Sequence, residues 1–188
     1  MSQLSSDAQI LALTRDLSNA NPEDAISKIE GLLDKFPDDP RLLFLYGSNL
    51  TAAARLIEAH RFLSRAVELA PDFNIARFQL GLFQLTSGEP EKALATWEPL
   101  EQLTDSHYLR LFSGALRRLI EDDFSGAIEG LRRGISVNDE NLPLNRDMQR
   151  LIDECALLTG RQSEDQTDIV HTETSLILRR FSDSSDEN

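Results

Sequence analysis

The residues of this chain that could do chemistry are few and far apart. His60, His107 and His171 are its three histidines. None has a second ligand at the three- or four-residue spacing that sets two side chains on one helix face, so neither a zinc site nor a metalloprotease helix is indicated. Asp38-Asp39 and Asp122-Asp123 are of the right type for paired acid and base work. Both pairs fall in turns between helical stretches, where acids cap the helix that follows. Cys155 is the single cysteine and cannot form an internal disulfide. It lies on an apolar stripe with no basic or histidine neighbour, and reads as a small core residue rather than a reactive thiol. The glycines are dispersed and make neither a phosphate-cradling loop nor a nucleophile elbow. No enzymatic activity is expected, and no cofactor or metal is called for.

The remaining chemistry is apolar recognition. Ile10, Phe44, Phe78 and Phe112 stand at intervals of 34 residues, with Leu17, Leu82, Leu85, Leu116 and Leu119 in neighbouring positions. Gln84 and Arg118 share one column and offer hydrogen bonds to a bound backbone. A phenylalanine buries about 150 to 250 Å², so three uncovered rings would make a patch larger than a monomer usually leaves bare. The expected cover is a partner segment, a second copy, the chain's own C-terminal stretch, or adjacent helices.

The elements that carry these residues follow the same interval. Ala25, Ala59, Ala93 and Ala127 are 34 apart, and twelve residues before each come Leu13, Gly47, Gly81 and Ala115, mostly small, as a close helix–helix approach requires. Ile29, Leu63, Trp97 and Leu131, then Leu32, Ala66, Leu100 and Gly134, complete an apolar helical face. Asn21-Pro22-Glu23, Ser87-Gly88-Glu89-Pro90 and Asp122-Asp123-Phe124 are turn sequences inside the unit. Each unit is thus expected to be a pair of antiparallel helices that buries its face by stacking on copies of itself. Valine is scarce and no long alternating run occurs, so the fold class is all-α.

These columns resemble the tetratricopeptide repeat family over residues 6–141, in units of about 6–39, 40–73, 74–107 and 108–141. The best matches are Leu43, Tyr46-Gly47, Ala59, Leu63, Ala66 and Pro71, then Leu80-Gly81, Gly88, Ala93 and Trp97. The outer units depart from the pattern, with Gln9 in the place of the family's tryptophan, Arg118 in that of its tyrosine and Gly114 in that of a leucine. The resemblance implies a right-handed superhelix whose concave face is lined by the first helix of each unit. It turns the Ile10, Phe44, Phe78 and Phe112 column inward, onto another protein or peptide segment. The family's clamp for acidic C-terminal tails needs lysine and asparagine at places that here hold Ile10, Phe44, Phe78, Phe112 and Thr14, Ser48, Leu82, Leu116. That clamp cannot be built.

Residues 143–159 carry Leu144, Met148, Leu151, Ile152, Cys155 and Leu158 on one stripe, and are expected to form a helix that caps the stack and ends before Gly160. The domain therefore spans 1–160. From 161 to 188 the composition turns polar, with seven acidic and three basic residues, and a flexible tail is expected. One apolar island interrupts it at 175–181. There Leu176, Ile177, Leu178, Arg179, Arg180 and Phe181 read either as a last element lying on the domain's own surface or as a linear docking motif.

A net charge of −13 argues against a nucleic-acid or anionic-membrane partner, since both select a basic face. No apolar run approaches the roughly 20 residues of a membrane span, and the N-terminus lacks a secretory pattern, so a cytoplasmic location is expected. The functional expectation is a non-enzymatic scaffold or adaptor that holds a partner segment in its apolar groove. The alternative is a self-assembling subunit, a homodimer or a chain covered by its own tail. A small acidic chaperone for a hydrophobic client is a minor variant.

Overall fold

The computed structural model describes residues 4–17, 20–161, 174, 177, 178 and 181. Among the described residues all regular structure is helical. The helices are α1 (Asp7–Leu17), α2 (Pro22–Leu33), α3 (Pro40–Ala52), α4 (Leu56–Leu69), α5 (Asn74–Thr86), α6 (Pro90–Trp97), α7 (Tyr108–Ile120), α8 (Phe124–Val137) and α9 (Leu142–Arg161). A 3-10 turn, Glu98–Gln102, continues α6. The second helices of the pairs begin at Pro22, Leu56, Pro90 and Phe124, and first helices begin at Pro40, Asn74, Tyr108 and Leu142. Both series advance by 34 residues. By this register α9 stands where the first helix of a fifth pair would begin. It is longer than the sequence predicts, because the backbone stays helical through Gly160 to Arg161.

The turn within three of the pairs is the same object. Ala54, Gly88 and Asp122, again 34 apart, have positive φ of 55°, 78° and 58°. The next amide reaches back five residues in each case, Arg55 to the Leu50 carbonyl, Glu89 to Gln84 and Asp123 to Arg118, all at 2.9 Å. The left-handed residue's own amide reaches back three, to Thr51, Leu85 and Leu119. This is the Schellman ending, which satisfies carbonyls that the last helical turn leaves without an amide partner. The following helix is then capped from the other side. Asp123 accepts from the Gly126 amide at 2.9 Å and Asn21 from the Asp24 amide at 3.0 Å, and proline opens α2, α3 and α6.

Packing inside a pair explains the small residues. A β-carbon on Gly47 would lie 2.8 Å from Leu63 Cγ, and one on Gly130 would lie 2.8 Å from Ala115 Cβ, so α3 with α4 and α7 with α8 meet almost backbone to backbone. The alanine column is sealed, with Ala59, Ala93 and Ala127 fully inaccessible and Ala25 nearly so. Leu63, Leu131, Ile29 and Trp97 are buried beside it, each such side chain contributing about 1.5 to 3 kcal/mol of transfer free energy.

The chain divides into two compact units, residues 1–83 and 84–188, with α5 running across the division. In the first, Leu42, Leu50, Leu63 and Ile29 centre a core joined by Tyr46, Leu80 and Phe83. The Tyr46 hydroxyl donates to Glu30 Oε1 at 2.5 Å, and burial together with that carboxylate pushes its pKa up to about 12. In the second, Leu109, Phe112, Leu116 and Leu119 of α7 and Leu131 of α8 are buried, as are Met148, Leu151, Ile152 and Cys155 of α9. The Leu158 side chain lies outside the described residues.

Candidate protein-docking face

The candidate residues of the first unit sit on α1, α3 and α5. Ile10 and Leu17 are half-buried, and Phe44 is half-buried with its ring edge-on to Phe73 at 5.4 Å between centroids. Phe78 is wholly inaccessible and Leu82 is 6% exposed. In the second unit Leu85, Phe112, Leu116 and Leu119 are at or below 1% exposure. Phe78 and Phe112 are therefore packed, whereas Phe44 is only partly covered; Phe112 lies against the backbone of Gly134 and edge-on to Tyr108, with 5.9 Å between ring centroids. Helix-period apolar residues look alike from sequence whether a neighbouring helix or a ligand covers them.

The two polar candidates have partners within the chain. Gln84 Oε1 accepts the Thr96 hydroxyl at 2.7 Å and is buried. Arg118 is exposed and stands 3.7 Å from Asp123 Oδ2. Among the acid pairs and histidines, three residues cap helices. Asp39 caps α3, Asp123 caps α8, and His107 caps α7 by accepting the Leu109 amide at Nδ1. His60 packs on Phe83, 5.8 Å between ring centroids, while His171 lies outside the described residues. Among the described residues no group of three or more metal-ligating side chains comes together, and no helix is long and apolar enough to cross a membrane. An open hollow of about 480 Å³ beside α4 is lined in part by Arg61 and Arg65. Arg65 is held there by Glu68 and Asp38, and Arg61 lies over the Phe62 ring.

The apolar island is where the second unit holds something new. Ile177, Leu178 and Phe181 are helical and buried, and Thr174, helical too, is 7% exposed. Leu176, Arg179 and Arg180 lie outside the described residues, as does most of the stretch expected to be a flexible tail. Positions 174, 177, 178 and 181 follow the i, i+3, i+4, i+7 rule and share one helix face. Two contacts fix its seat. The Thr174 hydroxyl lies 2.7 Å from the Leu119 carbonyl and 2.5 Å from Asp122 Oδ1, at the turn that ends α7. At the other end Arg150 of α9 lies over the Phe181 ring, 5.9 Å from its centroid, while paired with Asp147 at 2.5 Å. Thr174 thus meets the end of α7 and Phe181 the middle of α9, two helices of the first-helix series.

Sequence reasoning singled out Leu119 and Phe181 but missed Thr174, Asp122 and Arg150 as their companions. Thr174 was findable, since it heads the stripe one turn before Ile177. Arg150 carries no such mark, because a solvated arginine on an amphipathic helix is the ordinary case. Compared with protein-family models and with curated proteins, the chain matches none.

Proposed function

We propose that this chain is a non-enzymatic protein–protein interaction scaffold of the tetratricopeptide type, acting in the cytoplasm. Its α7 and α9 form the face on which a short amphipathic segment of a partner protein docks. One observation carries this reading: the stripe of Thr174, Ile177, Leu178 and Phe181 is buried and anchored at both of those helices. A face that seats one amphipathic stretch offers apolar ground and a carbonyl acceptor to another of like chemistry. Titration of the full chain with helical peptides bearing apolar residues at i, i+3, i+4 and i+7 tests it. Amide exchange is expected to slow in α7 and α9 as peptide is added. Unchanged exchange in both helices would overturn the reading.

A second reading is that the stripe is structural, covered by the chain's own C-terminal stretch or by a second copy. The burial of Ile177, Leu178 and Phe181 within the single chain favours the first of these covers. Light scattering distinguishes the copies, since a concentration-independent dimer is expected only if one chain covers another.

A further inference from the structure

The geometry points to the C-terminal stripe as an intramolecular competitor. Thr174, Ile177, Leu178 and Phe181 hold the α7–α9 face until a partner helix with the same pattern, hydroxyl-x-x-aliphatic-aliphatic-x-x-aromatic, displaces them. This rests on the reading of that face as a protein-docking surface, and it adds the chemistry of the ligand and the state of the unliganded protein.

The pattern is set by what each position meets. The Leu119 carbonyl already accepts the Asp122 amide at 3.1 Å, and its second lone pair faces the Thr174 oxygen at 2.7 Å. That oxygen is also 2.5 Å from Asp122 Oδ1. Two acceptors converge on the Thr174 oxygen, so the group placed there must be a donor; a hydroxyl supplies one proton, which serves one acceptor at a time, without bringing a further charge. The two aliphatic positions, Ile177 and Leu178, are buried, and the aromatic position is covered by the guanidinium of Arg150. A peptide lacking the first group gives up a hydrogen bond to the Leu119 carbonyl or the Asp122 carboxylate, and one lacking the last leaves Arg150 without its ring.

Among the described residues the stripe offers three apolar side chains and one hydroxyl, and their burial is opposed by the entropy of ordering the segment. Twelve residues, 162–173, separate it in sequence from the end of α9, and a segment carried on the same chain competes at the raised local concentration that covalent linkage confers. A partner helix then has to outcompete a local copy of its own kind, which lowers its apparent affinity by the fraction of chains whose face is open.

The test uses the full chain and a fluorescein-labelled peptide of residues 171–188, read by anisotropy, with far-UV circular dichroism as a check on folding. Phe181→Asp in the chain is expected to open the face and tighten peptide binding about tenfold relative to the unaltered chain. Thr174→Val, which keeps the shape and removes the donor, is the milder variant should Phe181→Asp lose helicity, and is expected to tighten binding about fivefold. In the peptide the same two substitutions should weaken binding. Equal affinity for the unaltered and the substituted chains would overturn the competitor while leaving the docking face standing. No binding by any chain with full helicity would remove the docking face, and the competitor with it.

Discussion

Gly134 of α8 lies flat against the ring of Phe112 of α7, so that a β-carbon built on it would overlap the Cδ1 and Cε1 edge of the ring. Glycine in a helix interior costs about 1 kcal/mol relative to alanine, and here that cost is offset by a fully buried benzyl group. Gly134→Ala should destabilise the protein by about 1 to 3 kcal/mol because the ring has to move. Gly31 on α2 meets nothing within 4 Å. Gly31→Ala should therefore stabilise by about 0.5 to 1 kcal/mol. Urea unfolding of the two variants checks both signs.

The repeated left-handed turn yields a matched pair of outcomes. Gly88 at φ 78° has open space around it, so Gly88→Ala should cost about 1 to 2 kcal/mol through the backbone alone. Ala54 already sits at φ 55° with a β-carbon. Ala54→Gly should be neutral or stabilise by up to about 1 kcal/mol, since relief of the strain exceeds the added freedom of the unfolded chain. Thermal unfolding of both variants is the measurement.

Asp39 ties the start of the chain to the start of α3. Its carboxylate is inaccessible, accepts the Ser5 amide at 2.9 Å and the Ser5 hydroxyl at 2.5 Å, and pairs with Arg41 at 2.8 Å. Burial alone would raise its pKa, but the hydrogen bonds from Arg41 and Ser5 prevail and bring it from 3.8 down to about 2. A carboxylate whose folded pKa is depressed contributes stability above its unfolded pKa, and loses it as pH falls through the folded value. The unaltered chain should lose about 2 kcal/mol from this group between pH 4 and pH 2. Asp39→Asn should lack that component and be less stable at pH 7 by about 2 to 4 kcal/mol, because Arg41 is left without its buried partner. Denaturant midpoints across pH test this.

Cys155 is fully buried on α9, and burial, helped by Glu154, pushes its thiol up to about 11. The native protein should react with an aromatic disulfide reagent at pH 8 only as fast as it opens, and at the full rate in denaturant. Rapid reaction of the native chain would mean that the α9 stripe is open to solvent.

Helix pairing was legible because it is local and repeated. The alanines, the prolines at helix starts and the turn residues act within a few positions of themselves, and a 34-residue interval copies each signal along the chain. The sequence reading passed over Ala54 as a turn residue, since alanine carries no left-handed preference. Only the backbone makes it equivalent to Gly88 and Asp122.

By itself the sequence determined the all-α class, the places where helices begin and turn, and which side chains are apolar on which helix face, because these follow from propensity and periodicity. What covers each face was decided by the tertiary structure alone. Phe112 could have met a ligand as readily as Gly134, and the C-terminal stripe could have met another protein as readily as α7 and α9. Apolar burial has no direction of its own, and the choice among covers depends on contacts between residues as distant as Leu119 and Thr174.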